Sequence, residues 1–112
     1  MRAEALKGHL DALLLAALEE GPRHGYAVKE TLRETTAGRL DLPTGTIYPA
    51  LHRLEQAGLI SGTWSVVAGR RRRTYQLTQH GQTALADARQ SWREFAEGIS
   101  SALRSTPWPA TT

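Results

Sequence analysis

The chain has 112 residues, a formal charge of +3, no cysteine, and 22% charged against 40% hydrophobic residues. That length suits one domain with a single core; the absent cysteines exclude disulfides and thiolate metal sites, and no run of 18 apolar residues is present to span a membrane. The first 20 residues carry acids inside and after their apolar part and lack a cleavage site, so a signal peptide is not expected and a cytoplasmic location is.

The charge is unevenly spread. Residues 1–20 sum to −2, residues 21–42 to +1, residues 43–77 to +4 and residues 78–112 to 0. The surplus therefore sits in one segment, which suits a phosphate-facing patch better than a uniformly basic protein.

A first helix is expected over residues 3–20, where Leu6, Leu10, Leu13, Leu14, Ala17 and Leu18 recur at helical spacing. Gly8 weakens its start and Gly21-Pro22 ends it. A second helix should open near His24 or Gly25 and run to about Thr36, where Ala37-Gly38 supplies a stop. Leu40, Asp41 and Leu42 suffice for one short edge strand or a loop.

In the third helix, Ile47, Ala50, Leu51 and Leu54 fall at i, i+3, i+4 and i+7, one apolar stripe. Gly45, Pro49, His52, Arg53 and Gln56 then face away from it, with Tyr48 on its flank. Thr44 as N-cap would put Pro49 at the fifth helical position, where its missing N–H breaks a backbone bond. Thr46 as N-cap puts Pro49 at the third, where no such bond is made. Thr46 is the expected N-cap, with Pro43-Thr44-Gly45 as the approach and Gly58 as the close.

Residues 59–67 form a β-branched and aromatic run, turned at Ala68-Gly69. Arg70, Arg71, Arg72 and Arg73 follow and lead into Thr74-Tyr75-Gln76-Leu77. Ile60, Gly62, Trp64 and Val66 should share one face, met across the pair by Tyr75 and Leu77. Trp64 is expected in the core.

Thr78 is a suitable N-cap for a last helix over residues 79–105, about 40 Å long. Leu85, Ala88, Trp92, Phe95, Ile99 and Leu103 step by 3 or 4, close to a coiled-coil seam. So small a domain cannot cover a helix of that length, so its second half should project and pack against another chain. The alternative is that it folds back onto the first helix. Residues 106–112 are expected to be a disordered tail. The fold class is thus mainly α with a small β-hairpin (α+β): a winged helix-turn-helix over residues 1–77, then one long dimerisation helix over 78–105.

A polar-faced helix joined to a hairpin with a cationic tip is suited to DNA. Thr44, Thr46 and Tyr48 offer hydroxyls at the helix start, while His52 and Arg53 can face base edges or phosphate one turn later. Alternate arginines in a strand point to opposite sides, so about half of Arg70, Arg71, Arg72 and Arg73 can reach one groove together. His9, His24, His52 and His80 are scattered without an i, i+4 pair or paired carboxylates, and no glycine-rich phosphate loop is present. No enzyme, metal site or cofactor is expected.

Three segments, LLLAALEEGPRHGYAVKETL, PTGTIYPALHRLEQAGLI and GRRRRTYQLTQHGQTAL, carry a resemblance to the PadR-like transcriptional regulators over about residues 6–105. The single last helix is similar to the short branch of that family. The resemblance implies a homodimeric winged-helix repressor of its own or adjacent genes, acting on a pseudo-palindromic DNA operator. It places DNA contacts around Thr44, Thr46 and Tyr48, and on the wing around Gly69 and the four arginines. Thr74 stands where family members commonly carry Lys. Relatives that sense drugs hold flat aromatic compounds between tryptophans of paired last helices, and Trp92 is similar in placement. A planar aromatic effector is accordingly a candidate ligand at Trp92. The alternative function is a small-molecule-binding or protein-interaction winged-helix protein without direct operator binding.

Overall fold

The structure, a computed structural model, describes residues 8–105. The first five residues of the expected first helix, Leu6 among them, and the tail at 106–112 lie outside that range.

Helix α1 spans Leu10–Ala17, after a turn in which Gly8 adopts φ +86°. It is shorter than expected at its C-terminal end. Leu18 and Glu19 donate three residues back, to the Leu15 and Ala16 carbonyls, so the chain tightens into a turn before Gly21. Strand β1 is the pair Arg23–His24, followed directly by α2 at Gly25–Thr35. His24 caps α2: its Nδ1 accepts the Ala27 N–H at 3.4 Å. The helix ends in a Schellman pattern, with the Gly38 N–H on the Arg33 carbonyl and the Ala37 N–H on the Glu34 carbonyl. Residues 40–42 are loop, with Leu40 buried.

Helix α3 runs Thr44–Gln56 with Pro43, not Thr46, as its N-cap. The Pro43 carbonyl accepts from the Thr46 N–H at 2.9 Å and the Ile47 N–H at 3.2 Å, which starts the helix three residues earlier than expected. Pro49 therefore lies inside the helix. It has no N–H to give to the carbonyl of Gly45 one turn back, and Gly45 is exposed, so water can take that role. A second Schellman pattern closes α3 at Gly58, whose φ is +78°.

Strands β2 (Ile60–Val67) and β3 (Arg70–Leu77) form the expected hairpin, turned at Ala68-Gly69 with positive φ at both residues, as a type I′ turn requires. The register opposes Ile60 to Leu77, Gly62 to Tyr75 and Trp64 to Arg73. Strand β1 adds to the other edge of β3, giving an antiparallel sheet in the order β1-β3-β2. That third strand was not anticipated.

Helix α4 spans Gln79–Ser105. Thr78 caps it as expected, its Oγ1 accepting the Gly81 N–H at 3.0 Å and donating to the Gly58 and Leu59 carbonyls. The core gathers Leu14, Leu15 and Leu18, then Val28 and Leu32, the α3 stripe, Ile60, Tyr75 and Leu85. Each fully buried Leu or Ile there contributes about 2 kcal/mol relative to exposure. Trp64 is not among them: it is 55% exposed. Cover by α3 ends near Gly62 and Tyr75, and Trp64 lies one step further out, beside arginine side chains.

Helix α4 divides in two. Leu85, expected in the seam, instead belongs to this chain's own core, and Arg89 makes a two-point ion pair with Glu19 at 2.5 and 2.7 Å, so the first half packs on α1. Further along, Trp92, Phe95, Ile99 and Leu103 are exposed, and the molecule measures 68 × 27 × 21 Å.

Candidate nucleic-acid interface

The apolar stripe of α3 fixes which of its residues face out. Because Ile47, Ala50, Leu51 and Leu54 are buried, Thr44, Tyr48, His52, Arg53 and Gln56 are exposed, while Thr46 is half-buried. The Tyr48 ring lies over Gly25 at the start of α2: a Cβ on Gly25 would stand 2.3 Å from the ring. Tyr48 thus spans the junction of the two helices and keeps part of its surface open to solvent. Arg53 is held by Asp11 of α1 at 2.5 Å, across the outside of the domain.

The four arginines do not share one environment. Arg73 is bound by Glu55 of α3 through two guanidinium nitrogens, one contact being Nε to Oε1 at 3.3 Å. Glu55 also accepts the Gly62 backbone N–H at 3.1 Å. Gly62 must be glycine for this: a Cβ there would stand 2.5 Å from Arg73 Nε. Hydrogen bonding from Arg73, and secondarily its charge, holds the Glu55 carboxyl below its ordinary value despite partial burial. This cluster ties the wing hairpin to α3 at a fixed angle.

Arg70, Arg71 and Arg72 are exposed, and among the described residues none is paired with a carboxylate. By register Arg71 shares a face with Trp64 and Val66, while Arg70 and Arg72 alternate to the other face. Arg72 lies near His24, whose pKa is lowered by burial first and by that arginine second. Neutral His24 keeps its Nδ1 as the acceptor that caps α2. Burial raises the pKa of Tyr75, which lines the base of the hairpin.

The structure therefore gathers the hydroxyl-bearing face of α3 and three uncompensated guanidinium groups on one rigidly joined helix–hairpin unit, with Gly69 in its turn. Arg53 and Arg73 are answered by carboxylates of the same chain. Sequence reasoning did not single out Glu55, Asp11 or Gly62. Glu55 had left a signal: it is the one acid in a segment with five arginines. Among the described residues, no group of three or more His, Asp or Glu could hold a metal ion, and no helix is long and apolar enough to cross a membrane.

Residues 14–87 match the transcriptional regulator PadR-like family. A transcriptional regulator of Mycobacterium tuberculosis is 38% identical over 81 residues, covering 72% of this chain and 63% of its own length. The crystal structure of a PadR family regulator from Eggerthella lenta superposes with a TM-score of 0.80 at 28% identity, covering 92% of this chain and 88% of that one. Bacillus subtilis PadR, solved in complex with operator DNA, superposes with a TM-score of 0.65 at 25% identity, over 70% of this chain and 44% of that protein.

Proposed function

The chain belongs to the PadR-like family of transcriptional regulators, and on that premise we propose that it binds double-stranded DNA as a sequence-selective homodimer. The family's members are regulators rather than enzymes. The observation that carries the reading is the set of exposed guanidiniums at Arg70, Arg71 and Arg72, on a hairpin fastened by Glu55 to the polar-faced helix α3. Such a unit offers phosphate contacts from the wing and hydroxyl or imidazole contacts from Thr44, Tyr48 and His52 to a groove. The operator complex of Bacillus subtilis PadR supports carrying DNA binding over to this chain.

The exposed stripe of Trp92, Phe95, Ile99 and Leu103 on α4 supports dimerisation. A second copy of the same helix would bury it and set two wings on one duplex, so the target is a pseudo-palindrome. We assign it a cytoplasmic, repressive role at its own or an adjacent gene, with release by a planar aromatic effector. Trp92 supports the effector, with Phe95 at 5.7 Å and His9 edge-on at 5.4 Å between ring centroids. Selection of bound fragments from the source genome tests the core of this reading. An enriched inverted repeat upstream of a gene is expected; recovery of fragments in proportion to input would refute it. Quenching of tryptophan fluorescence by planar aromatics, lost in Trp92→Ala while the dimer persists, tests the effector. No quenching across a chemically varied panel would remove it.

A further inference from the structure

We propose that Trp64 is a positioning residue for Arg71, and that the four consecutive arginines have separate tasks instead of forming one interchangeable patch. The inference rests on the DNA-binding reading and deepens it. Arg73 is committed to Glu55 and sits between that carboxylate and the indole, with its Cζ 5.2 Å from the Trp64 ring centroid. Its task is to hold the wing. Arg71 reaches the same ring from the neighbouring register position, with its Cζ at 4.5 Å, inside cation–π range. It has no carboxylate partner among the described residues, so its charge remains available.

The indole of Trp64 is not part of the buried core. It is more than half exposed, so it adds little to the core, yet two guanidiniums touch it. An arginine loses rotamer freedom when it docks on a phosphate. Resting on Trp64, Arg71 has lost part of that freedom before DNA arrives, and it is linked through Trp64, Arg73 and Glu55 to helix α3. Arg70 and Arg72 point to the opposite face, and among the described residues neither guanidinium lies over a Trp or Tyr ring. Arg71 is therefore the pre-set contact of the wing, and Arg70 and Arg72 supply adaptable charge.

A double-mutant cycle decides it, read by fluorescence anisotropy on a fluorescein-labelled duplex that the wild-type protein has selected from its source genome. Trp64→Leu keeps apolar bulk and removes the π face, and should weaken binding by about threefold for each wing. Trp64→Phe should retain most of the affinity. On an Arg71→Ala background, Trp64→Leu should cost nothing more. The salt slope should stay near wild type in Trp64→Leu, since the charge remains, and should flatten by about 1 per wing in Arg71→Ala. Comparing Trp64→Leu on the two backgrounds cancels any general loosening of the hairpin. Equal Trp64→Leu penalties with and without Arg71, or a Trp64→Phe loss as large as that of Trp64→Leu, would overturn the inference while leaving DNA binding intact. A wild-type protein that binds no duplex would bring down both.

Discussion

Replacing Gly81 by alanine should unfasten the long helix from the winged domain. Gly81 is the third residue of α4, and a Cβ there would lie 1.9 Å from the Leu59 carbonyl oxygen and 3.0 Å from its carbon. Carbon–oxygen contacts settle at about 3.3 Å or beyond, so the backbones must part by roughly 1.4 Å. That oxygen cannot yield cheaply, because it accepts from the Thr78 N–H at 3.1 Å and from Thr78 Oγ1 at 3.0 Å. Overpacking costs about 1–3 kcal/mol, and each weakened hydrogen bond about 1 kcal/mol, so a total of about 3 kcal/mol is expected. For a chain of this size that lowers Tm by about 12 °C. Gly98 in the same helix has nothing within 4 Å of its Cβ position. Gly98→Ala should instead gain about 0.8 kcal/mol of helix propensity and raise Tm by about 3 °C. Thermal melts followed by circular dichroism, at one fixed protein concentration, compare the two. A Gly81→Ala midpoint within about 2 °C of wild type, or a fall of equal size in both variants, would refute the reasoning.

Acid should weaken the fold in a defined direction. Glu55, Glu19 and Asp41 all have lowered pKa values, chiefly through hydrogen bonds from Arg73, Arg89 and Lys29. A carboxylate whose folded value is depressed contributes its full stabilisation above the unfolded value, about 4, and loses it as pH falls through the folded value. Tm should therefore decline below about pH 4, and Glu55→Gln should show a shallower decline; an unchanged acid limb would contradict the Glu55 cluster. Gly25→Ala should push the Tyr48 ring aside and weaken DNA binding more than it lowers Tm, because the ring is partly exposed and can move. Equal DNA affinity would mean that Tyr48 does not need its present position. Phe95→Arg with Ile99→Asp should convert the proposed dimer to a 12.3 kDa monomer by sedimentation while keeping its helix content; an unaltered dimer would place the interface elsewhere.

Periodic features of the sequence were readable because a single physical rule governs each. The α3 stripe, the two-residue hairpin turn and the Thr78 cap all appear where spacing puts them. The start of α3 was misjudged because Pro49 was weighed only as a lost bond; the exposed Gly45 carbonyl it orphans can be solvated, so the helix tolerates it. Strand β1 has two residues, too few for an alternating pattern, and exists because β3 offers a free edge to Arg23 and His24. Trp64 was placed inside because it shares a strand face with Ile60, whereas the register seats it beside Arg73 and beyond the cover of α3. Within the candidate site, α3 and the arginine run were legible as a group. Their division was not, since the Glu55–Arg73 contact joins residues 18 apart and depends on Gly62 having no side chain. The close approaches at Gly25, Gly62 and Gly81 are three-dimensional facts with no local pattern in the chain.

Arg70, Arg71 and Arg72 are expected to give this helix–hairpin unit its hold on a DNA duplex, with α3 choosing the sequence. That expectation is tested most directly by measuring affinity against salt concentration for the wild-type protein and the Arg70→Ala/Arg72→Ala variant, on the selected duplex and on a shuffled one. A log–log slope of roughly −5 to −9 is expected for wild type, from about 6–10 neutralised phosphates. At least about a thousandfold preference for the selected sequence is expected as well, with a flatter slope and weaker binding on both duplexes for the variant. Equal wild-type affinity for the selected and shuffled duplexes, or a slope that the two substitutions leave unchanged, would contradict it.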